Sequence, residues 1–356
     1  MTIYILNYIT IAFYWLLIKD KKKFVLISCL QMWLIMALRS TAMGYDIENY
    51  EIYYKSYSAN SFHSMLTSTR LIRNQAVNWG LESGYVWLNW ICAKCGLSFH
   101  SFLVVHAAIC MIGLGKFLKR YSSEALFTLM IIISFGIWGS FFTVLRQALA
   151  LVVLLQSIDS IKGRILWKFL LYIVVACLFH KAAVFFIPTY WLYIIPINRK
   201  NVFFVVVSAI TWFLAVPRVY SFFSFLLGLL GRSEMYVIGD MQTNKMIICF
   251  VALLIVVFTF RKKKRIGETD DFRLSFWGLV LTIFVEIISL YNSTFSRAAI
   301  EVLFPFATVA LSDVVTKQGL LSNRRILGIV YFFVLFVFYC FVTVDSSIVP
   351  YIPIWG

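Results

Sequence analysis

Apolar runs about as long as a bilayer is thick recur along the whole chain, and they restrict its fold more than any other feature. One of them is ALFTLMIIISFGIW at 125–138. A transmembrane helix needs about 20 mostly apolar residues. Charged residues make up only 13% of the 356 residues, about half the share that is usual in soluble domains. The pattern predicts an all-α polytopic membrane protein without a sizeable soluble domain.

We predict about 12 transmembrane helices, within a range of about 11 to 14, in one integral-membrane domain that covers 1–356. The ends of the predicted spans are placed to within several residues. The spans are 3–18, 24–39, 99–118, 125–140, 142–158, 165–180, 182–197, 201–216, 245–260, 272–291, 298–314 and 326–344. Segment 84–97 is short and contains Lys94, so it either crosses the bilayer or lies at its interface. The first residues lack the basic stretch and the small-residue cleavage site of a signal peptide, and none is predicted.

The distribution of basic residues decides between these two topologies. If segment 84–97 does not cross, 21 of the 32 Lys and Arg residues lie in cytoplasmic loops, including the RKKKR block at 261–265, whereas only 11 do if it crosses. Cytoplasmic loops are enriched in Lys and Arg. We therefore predict a re-entrant or interfacial segment, with external loops at about 40–83 and 217–244. The net charge of +16 then reflects topology rather than nucleic-acid binding.

The external loop at 217–244 contains the apolar stretch SFFSFLLGLL. Such a stretch is typical of a helix that lies on a leaflet surface. We predict that it lies on the outer leaflet.

An arginine and a glutamine interrupt two apolar segments in FFTVLRQALA at 141–150. Ionisable side chains at the ends of membrane helices are costly and usually face a cavity, a partner or a substrate pathway. The guanidinium of Arg146 suits a phosphate group, a helix N-terminus attracts anions, and Gln147 adds donors. The alternatives are a structural pair with Asp46 or Glu82, or contact with lipid headgroups. We predict an anion site at the outer face.

Three further ionisable residues lie at the same predicted face. His180 in LFHKAAVFFIP is a candidate general base, or a packing residue. Arg297 follows a loop and enters a helix, as Arg146 does, so the two arginines are placed to stabilise one pyrophosphate without a metal. Glu286 lies within a predicted span and is either a base or the counter-ion of one of these arginines.

The external region after the second span combines tyrosines with acids, a combination that suits sugar rings and hydroxyls. An interfacial aromatic belt is the alternative reading of the tyrosines. The chain has four His and no HExxH or DxD motif, so neither a metal nor a cofactor is predicted. The candidate residues of this region are Arg39, Asp46, Tyr50, Tyr54, Glu82, Tyr85 and Asn89.

Four short motifs resemble those of EpsG-like, Wzy-type polysaccharide polymerases, which make O-antigen, capsule or exopolysaccharide. They occur in the expected order over about 39–183. They are G-x-D-x-x-x-Y (Gly44, Asp46, Tyr50), E-x-G-Y (Glu82, Gly84, Tyr85), L-R-Q-x-x-A (Leu145 to Ala150) and F-H-K-A-A (Phe179 to Ala183). Downstream the resemblance is looser, because no specific motif surrounds Arg297.

The resemblance implies a glycosyltransferase with a GT-C-like helical fold in the bacterial inner membrane, with its active site facing the periplasm. Its donor and acceptor would be undecaprenyl-pyrophosphate-linked oligosaccharides, with membrane lipids and a chain-length regulator as further partners. We expect inverting, metal-independent transfer. The expected roles are pyrophosphate binding by Arg146, Gln147, Arg297 and Arg39, proton transfer by His180, Asp46, Glu82 or Glu286, and sugar binding by Tyr50, Tyr54, Tyr85 and Asn89.

Three other functions remain open at this point. An O-antigen ligase uses the same lipid donor but transfers the chain to the lipid A core. A polysaccharide flippase or transporter suits 12 spans, although transporters commonly carry internal repeats and midplane polar residues in both halves. A membrane O-acyltransferase with an intramembrane His is the third. The crowding of charges at one face favours chemistry at the membrane surface over passage through it.

Overall fold

We describe the fold from a computed structural model, in which residues 1–44, 46–64, 81–122, 124–229, 270–290, 336–337 and 348–355 are placed. Within these ranges the regular structure is helical, and one isolated antiparallel bridge joins Arg39 to Pro353. The chain forms two compact units. Unit 1 comprises Met1–Asp159, Trp167–Val184 and Arg325–Gly356, and unit 2 comprises Ser160–Leu166 and Phe185–Arg324. The single domain over 1–356 stays a prediction.

The helices are numbered in chain order. They are α1 (Thr2–Leu17), α2 (Lys21–Ala37), α3 (Ile47–Ser58), α4 (Ser83–Lys94), α5 (Phe99–Tyr121), α6 (Ala125–Ser134), α7 (Ile137–Thr143), α8 (Leu145–Leu155), α9 (Ile158–Lys162), α10 (Leu166–Cys177), a 3₁₀ helix (Lys181–Phe186), α11 (Thr189–Leu192), α12 (Arg199–Leu229) and α13 (Asp270–Ser289).

Helix α5 is the central element of unit 1, and α8 packs closely against it. The hydroxyl of Ser98 caps its first turn. His106 Nε2 lies 3.0 Å from the Leu145 carbonyl oxygen, and Gln156 donates to the Gly113 carbonyl at 3.3 Å. The residue numbers rise together in these two contacts, so the two helices run parallel. A Cβ at Gly113 would overlap Val152, so only glycine allows this approach.

The chain bends twice before α8. Gly136 adopts a positive φ of 75°, and α6 and α7 are bent by 53° at this break. A second break at Val144 separates α7 from α8. Span 125–140 is therefore not one straight helix. The next helix, α8, begins at Leu145, three residues after the predicted start and within the several residues to which the ends were predicted.

The described helices include two that are long and apolar enough to cross a membrane, Phe99–Tyr121 and Arg199–Val219. The bent pair α6–α7 adds a third if it is one span. A helical membrane protein is thus confirmed, whereas the count of 12 spans and the GT-C-like architecture stay predictions. Helix α4 has 12 residues and rises about 18 Å, which is less than the roughly 30 Å of a bilayer core.

Two predicted boundaries are wrong. Residues 182–197 do not form one helix but a short 3₁₀ helix and the four-residue α11, because Pro188 and Pro196 interrupt the hydrogen-bond ladder. Helix α12 does not end at residue 216, since it continues through Pro217 to Leu229. Most of SFFSFLLGLL therefore continues α12 instead of forming a separate helix on the outer leaflet.

Several predictions lie outside the described residues. These are Arg297, the RKKKR block, residues 230–244 of the second external loop, the spans 245–260 and 298–314, and nearly all of 326–344. In unit 2, α12 and α13 share an apolar core that includes Val202, Phe272 and Phe276. The indole of Trp212 donates to the Phe284 carbonyl at 3.0 Å and joins the two helices.

Candidate active site

The E-x-G-Y and F-H-K-A-A motifs meet at a backbone contact in unit 1. The amide nitrogen of Gly84 donates to the Leu178 carbonyl at 2.8 Å. A Cβ at Gly84 would lie 2.7 Å from Leu178 Cβ and 2.8 Å from its carbonyl oxygen, closer than side chains pack. The glycine allows the start of α4 to approach the end of α10, and this contact brings Glu82 to the residues that follow α10.

The G-x-D-x-x-x-Y motif also depends on its glycine. Gly44 has a φ of 109°, a conformation that other residues rarely adopt. A Cβ there would lie 2.8 Å from Ile47 Cγ1 and 3.1 Å from the Phe142 carbonyl oxygen. The turn therefore rests against the end of α7, and α3, which follows it, carries Tyr50 to the start of α8.

The carboxylate of Glu82 is the centre of the resulting cluster. Its Oε2 lies 2.6 Å from Arg146 Nη1, and its Oε1 lies 3.4 Å from His180 Nδ1. The Lys181 amide also donates to Oε1, at 3.2 Å. The Glu82 side chain is only 5% exposed, whereas those of Arg146 and His180 are 22% and 19% exposed. The buried carboxylate therefore holds two partners that remain accessible.

Tyr50 completes the cluster from α3. Arg146 Nε donates to the Tyr50 hydroxyl at 3.4 Å, and the rings of Tyr50 and Tyr85 are 5.4 Å apart at 61°. Burial raises the pKa of Tyr50 despite the opposing charge of Arg146. The hydroxyl is therefore neutral at physiological pH and supports the guanidinium without adding charge.

The electrostatics of Glu82 favour its charged form. Burial raises the pKa of this carboxyl, but the hydrogen bond from His180 and the charge of Arg146 outweigh burial, and the pKa lies below its ordinary value. A carboxylate with a lowered pKa is a weak base. The environment thus suits Glu82 to hold and orient its partners.

Two groups compete for Nδ1 of His180. The Ala182 amide lies 3.4 Å from Nδ1 as a donor, and Glu82 Oε1 lies at the same distance as an acceptor. The first contact requires an unprotonated Nδ1 and the second a protonated one. Gaining a proton on the ring therefore favours the contact with Glu82.

Three buried polar atoms near the start of α8 and along α4 lack hydrogen-bond partners within the described part of the chain. They are the Tyr85 hydroxyl, Asn89 Oδ1 and Gln147 Oε1. Asn89 uses its amide nitrogen to donate to the Tyr85 carbonyl at 2.7 Å. Buried polar atoms are usually satisfied, so these atoms mark places where water or a ligand hydroxyl would be stabilised.

The predicted sugar-binding residues are buried. Tyr85 and Asn89 are 0% exposed, and the Tyr54 hydroxyl donates to the Leu97 carbonyl at 2.7 Å. Burial raises the pKa of Tyr54 to about 12. Tyr50 contacts Arg146 and Tyr85 packs against Tyr50, whereas the Tyr54 ring packs near Phe99 and Phe102. Direct contact of these tyrosines with sugar stays a prediction. Asp46 is exposed and directly precedes α3.

Arg39 lies in a different environment from Arg146. It is 1% exposed, donates to the Phe142 carbonyl and stacks 5.0 Å above the Phe142 ring centre. It thereby fixes the end of α7 just before the break that precedes α8. The geometry supports this packing role, and the contact of Arg39 with pyrophosphate stays a prediction.

Glu286 lies in unit 2, where α13 buries it to 5% exposure, and Arg297 lies outside the described residues. Their predicted roles stay predictions. Among the described residues, no three His, Cys, Asp or Glu side chains are grouped to hold a metal ion.

Two residues that contact the cluster or its neighbouring backbone were not among the predicted site residues. The Lys181 amide belongs to a quoted motif, but its contact with Glu82 depends on the turn that follows α10. His106 is 1% exposed and contacts the carbonyl of Leu145, the residue before Arg146. No sequence pattern indicated this contact, because a lone His among apolar residues is usually a packing residue.

The comparisons with known proteins include a family match that covers most of the chain. The model of the EpsG family matches residues 22–353, a range that includes every predicted site residue. No curated protein and no solved structure matches the chain. The match confirms the resemblance and supports a polysaccharide polymerase in general terms.

Proposed function

Because the chain belongs to the EpsG family, we propose that it transfers a growing glycan from undecaprenyl pyrophosphate to the next lipid-linked repeat unit. The reaction takes place at the periplasmic face of the bacterial inner membrane. The acceptor hydroxyl attacks the anomeric carbon of the donor, the bond from that carbon to the pyrophosphate oxygen breaks, and a glycosidic bond forms with inversion.

The observation that carries the proposal is the Arg146–Glu82–His180 cluster. In the described structure Arg146 has a planar fork of donors, one carboxylate partner and partial exposure. The arriving pyrophosphate is a stronger anionic partner for this fork than one carboxylate is. Arg146 then neutralises the charge that develops on the leaving group, the kind of effect that supplies much of enzymatic rate enhancement. Gln147 and Arg297 are proposed to assist.

His180 is the base that the geometry favours. Its Nδ1 faces Glu82, so Nε2 is the atom placed to accept the proton of the acceptor hydroxyl. Glu82 then stabilises the imidazolium, as a carboxylate does in other nucleophile–base–acid arrangements. Because the lowered pKa of Glu82 makes it a weak base, we assign it an orienting role. Asp46 is less favoured as a base because it is exposed and directly precedes α3, and a proton-transfer role for Glu286 stays a prediction.

The position of the cluster supports the proposed face. Tyr85 packs against Phe102 near the first turn of α5, with ring centres 6.0 Å apart, whereas Lys119 and Arg120 occupy its last turn. These turns are about 26 Å apart at 1.5 Å per residue, close to the thickness of a bilayer core. If the basic end is cytoplasmic, as the enrichment of Lys and Arg in cytoplasmic loops favours, the cluster lies at the periplasmic end.

The test supplies purified full-length protein with undecaprenyl-pyrophosphate-linked repeat units and separates the products on a gel. A ladder of lengthening glycans that persists with a chelator supports the proposal. Transfer to a lipid A core acceptor without a ladder would identify a ligase. Movement of the lipid-linked unit across vesicles without new glycosidic bonds would identify a flippase, and either result would overturn the proposal.

A further inference from the structure

A basic cleft lies in unit 1 at the end of α5 that is remote from the Arg146 cluster. Its volume is about 250 Å³, and it is bounded by the last two turns of α5 and by the segment from the end of α8 to Asp159. Its polar lining comprises Lys116, Lys119, Arg120, Tyr121, Gln156 and Asp159. The proposed reaction uses none of these residues.

The acidic residue of the cleft is already occupied by two donors. Asp159 Oδ2 lies 2.6 Å from Arg120 Nη1, and the Tyr121 hydroxyl donates to Oδ1 at 2.6 Å. Lys116 and Lys119 are exposed and form no ion pair with a described acid. Asp159 therefore holds the side chains of Arg120 and Tyr121 at the edge of the cleft. The charges of Lys116 and Lys119 remain for a bound anion to neutralise.

An apolar stripe leads along α5 to these lysines. Ile109 and Ile112 are 36% and 60% exposed, although neighbouring turns of the helix are mostly buried. The positions 109, 112, 116 and 119 follow helical spacing of three and four, which places them on one face. An apolar face that ends in two cations matches a molecule with an apolar tail and an anionic head.

We propose that this cleft binds an anionic phospholipid of the cytoplasmic leaflet. The phosphate of the headgroup lies between Lys116 and Lys119, Tyr121 and Gln156 offer polar contacts to the rest of the headgroup, and one acyl chain follows Ile109 and Ile112. A soluble phosphate ester shares the headgroup chemistry but leaves the apolar stripe uncovered. The assignment does not depend on the proposed reaction, since it concerns the opposite end of α5.

The experiment places the full-length protein in nanodiscs of phosphatidylglycerol and phosphatidylcholine and counts retained lipids by native mass spectrometry. We expect the wild type to retain phosphatidylglycerol selectively. The double variant K116Q/K119Q should retain at least about tenfold less phosphatidylglycerol than the wild type, since each lysine near anionic lipid contributes about 1 kcal/mol. The variant K116R/K119R should keep most of it, because both charges remain.

The matched control is K22Q/K23Q. Both lysines are exposed, and the adjacent Lys21 donates to the Ser122 carbonyl, so they lie beside the same end of α5 but do not line the cleft. The control should retain phosphatidylglycerol as the wild type does. Equal losses in the two double variants would show general surface attraction and overturn the site.

A second arm separates lipid from soluble phosphate. Inorganic phosphate and glycerol 1-phosphate are added separately to the wild type in phosphatidylcholine nanodiscs, and binding is measured by the same method. We expect neither to be retained at concentrations where phosphatidylglycerol is. Retention of either one as strong as that of the lipid would overturn the assignment to a phospholipid.

Discussion

The two ends of α5 carry cationic side chains in opposite arrangements. Near its first turns, Arg146 is held by the buried carboxylate of Glu82 and by the Tyr50 hydroxyl. In its last two turns, Lys116 and Lys119 are exposed and form no ion pair with a described acid. A charge held at one position by buried partners is suited to a defined reaction geometry, whereas exposed lysines on flexible stems are suited to a headgroup.

This difference also indicates which charged side chains cannot be replaced without a large loss of stability. Removing one member of a buried pair leaves an uncompensated charge, whereas removing one member of an exposed pair changes little. The following predictions test this contrast, from the largest expected effect to the smallest.

Replacing Arg146 should have the largest effect. We expect R146A to reduce ladder formation by about 100-fold or more, the loss typical when a preorganised donor to a developing oxyanion is removed. R146K should lose about tenfold or more, because an ammonium cannot contact Glu82 and Tyr50 as a planar fork does. Polymer length and yield are measured on gels at equal protein level.

The control for this pair of variants is R199A, which removes an exposed arginine at the start of α12. It should polymerise within about twofold of the wild type, as surface substitutions usually have small effects. Wild-type activity in R146K would contradict the role given to the fork.

Replacing Glu82 should reduce stability more than any exposed acid does. We expect E82Q to lower the free energy of unfolding by about 3 kcal/mol, because it leaves the partly buried Arg146 without its counter-ion. The matched control is E51Q, which breaks the Glu51–Lys55 pair at 2.7 Å on the neighbouring α3, where the side chains are 29% and 72% exposed. It should cost at most about 1 kcal/mol. Thermal unfolding followed by tryptophan fluorescence compares them. Equal melting temperatures for E82Q and E51Q would show that the buried Glu82 adds no more to the stability of the fold than Glu51 does.

A smaller effect is expected from the glycine that joins the two motifs. G84A places a Cβ within 2.7 Å of Leu178 and should cost about 1–3 kcal/mol, as overpacking does, while separating Glu82 from His180. In G115A the new Cβ lies 3.4 Å from Cys29 Sγ, an ordinary contact, so this variant should unfold within about 1 kcal/mol of the wild type. Similar melting temperatures for both variants would contradict the close approach at Gly84.

The smallest effect is the pH dependence. The pKa of Glu82 is lowered in the fold, and such a group stabilises fully above its unfolded pKa and loses that contribution as pH falls through its folded pKa. The difference in melting temperature between wild type and E82Q should persist from about pH 8 down to about pH 5 and shrink only in stronger acid. A difference that already shrinks near neutral pH would show that the pKa is raised instead.

Much of the site could be predicted from the sequence, because ionisable residues at the ends of apolar segments are uncommon and easily recognised. A pair with Asp46 or Glu82 was the structural alternative for Arg146, with Glu286 a further counter-ion candidate, and the structure shows the contact with Glu82. The order of the motifs was sufficient to identify the family. The functional roles of these residues stay predictions.

The remaining features depend on contacts between distant parts of the chain. The burial of Arg39 against Phe142 joins positions 103 residues apart, and hydropathy treats Arg39 and Arg146 alike. The break at Gly136 and the 3₁₀ helix after His180 interrupt apolar runs that look continuous in the sequence. In both places local backbone geometry overrides the hydrophobic pattern.

The most direct test of the central claim, that the Arg146 cluster and the basic cleft lie at opposite membrane faces, is cysteine labelling in intact cells. Cys95 is exposed and lies at the end of α4, four residues before α5 begins at Phe99. Along α5, Phe99 lies about 26 Å from position 116 at 1.5 Å per residue. One variant keeps Cys95 alone, and a second carries K116C alone. We predict that a membrane-impermeant maleimide labels Cys95 from the periplasm and labels K116C only after the membrane is opened. Labelling of K116C in intact cells would contradict the account.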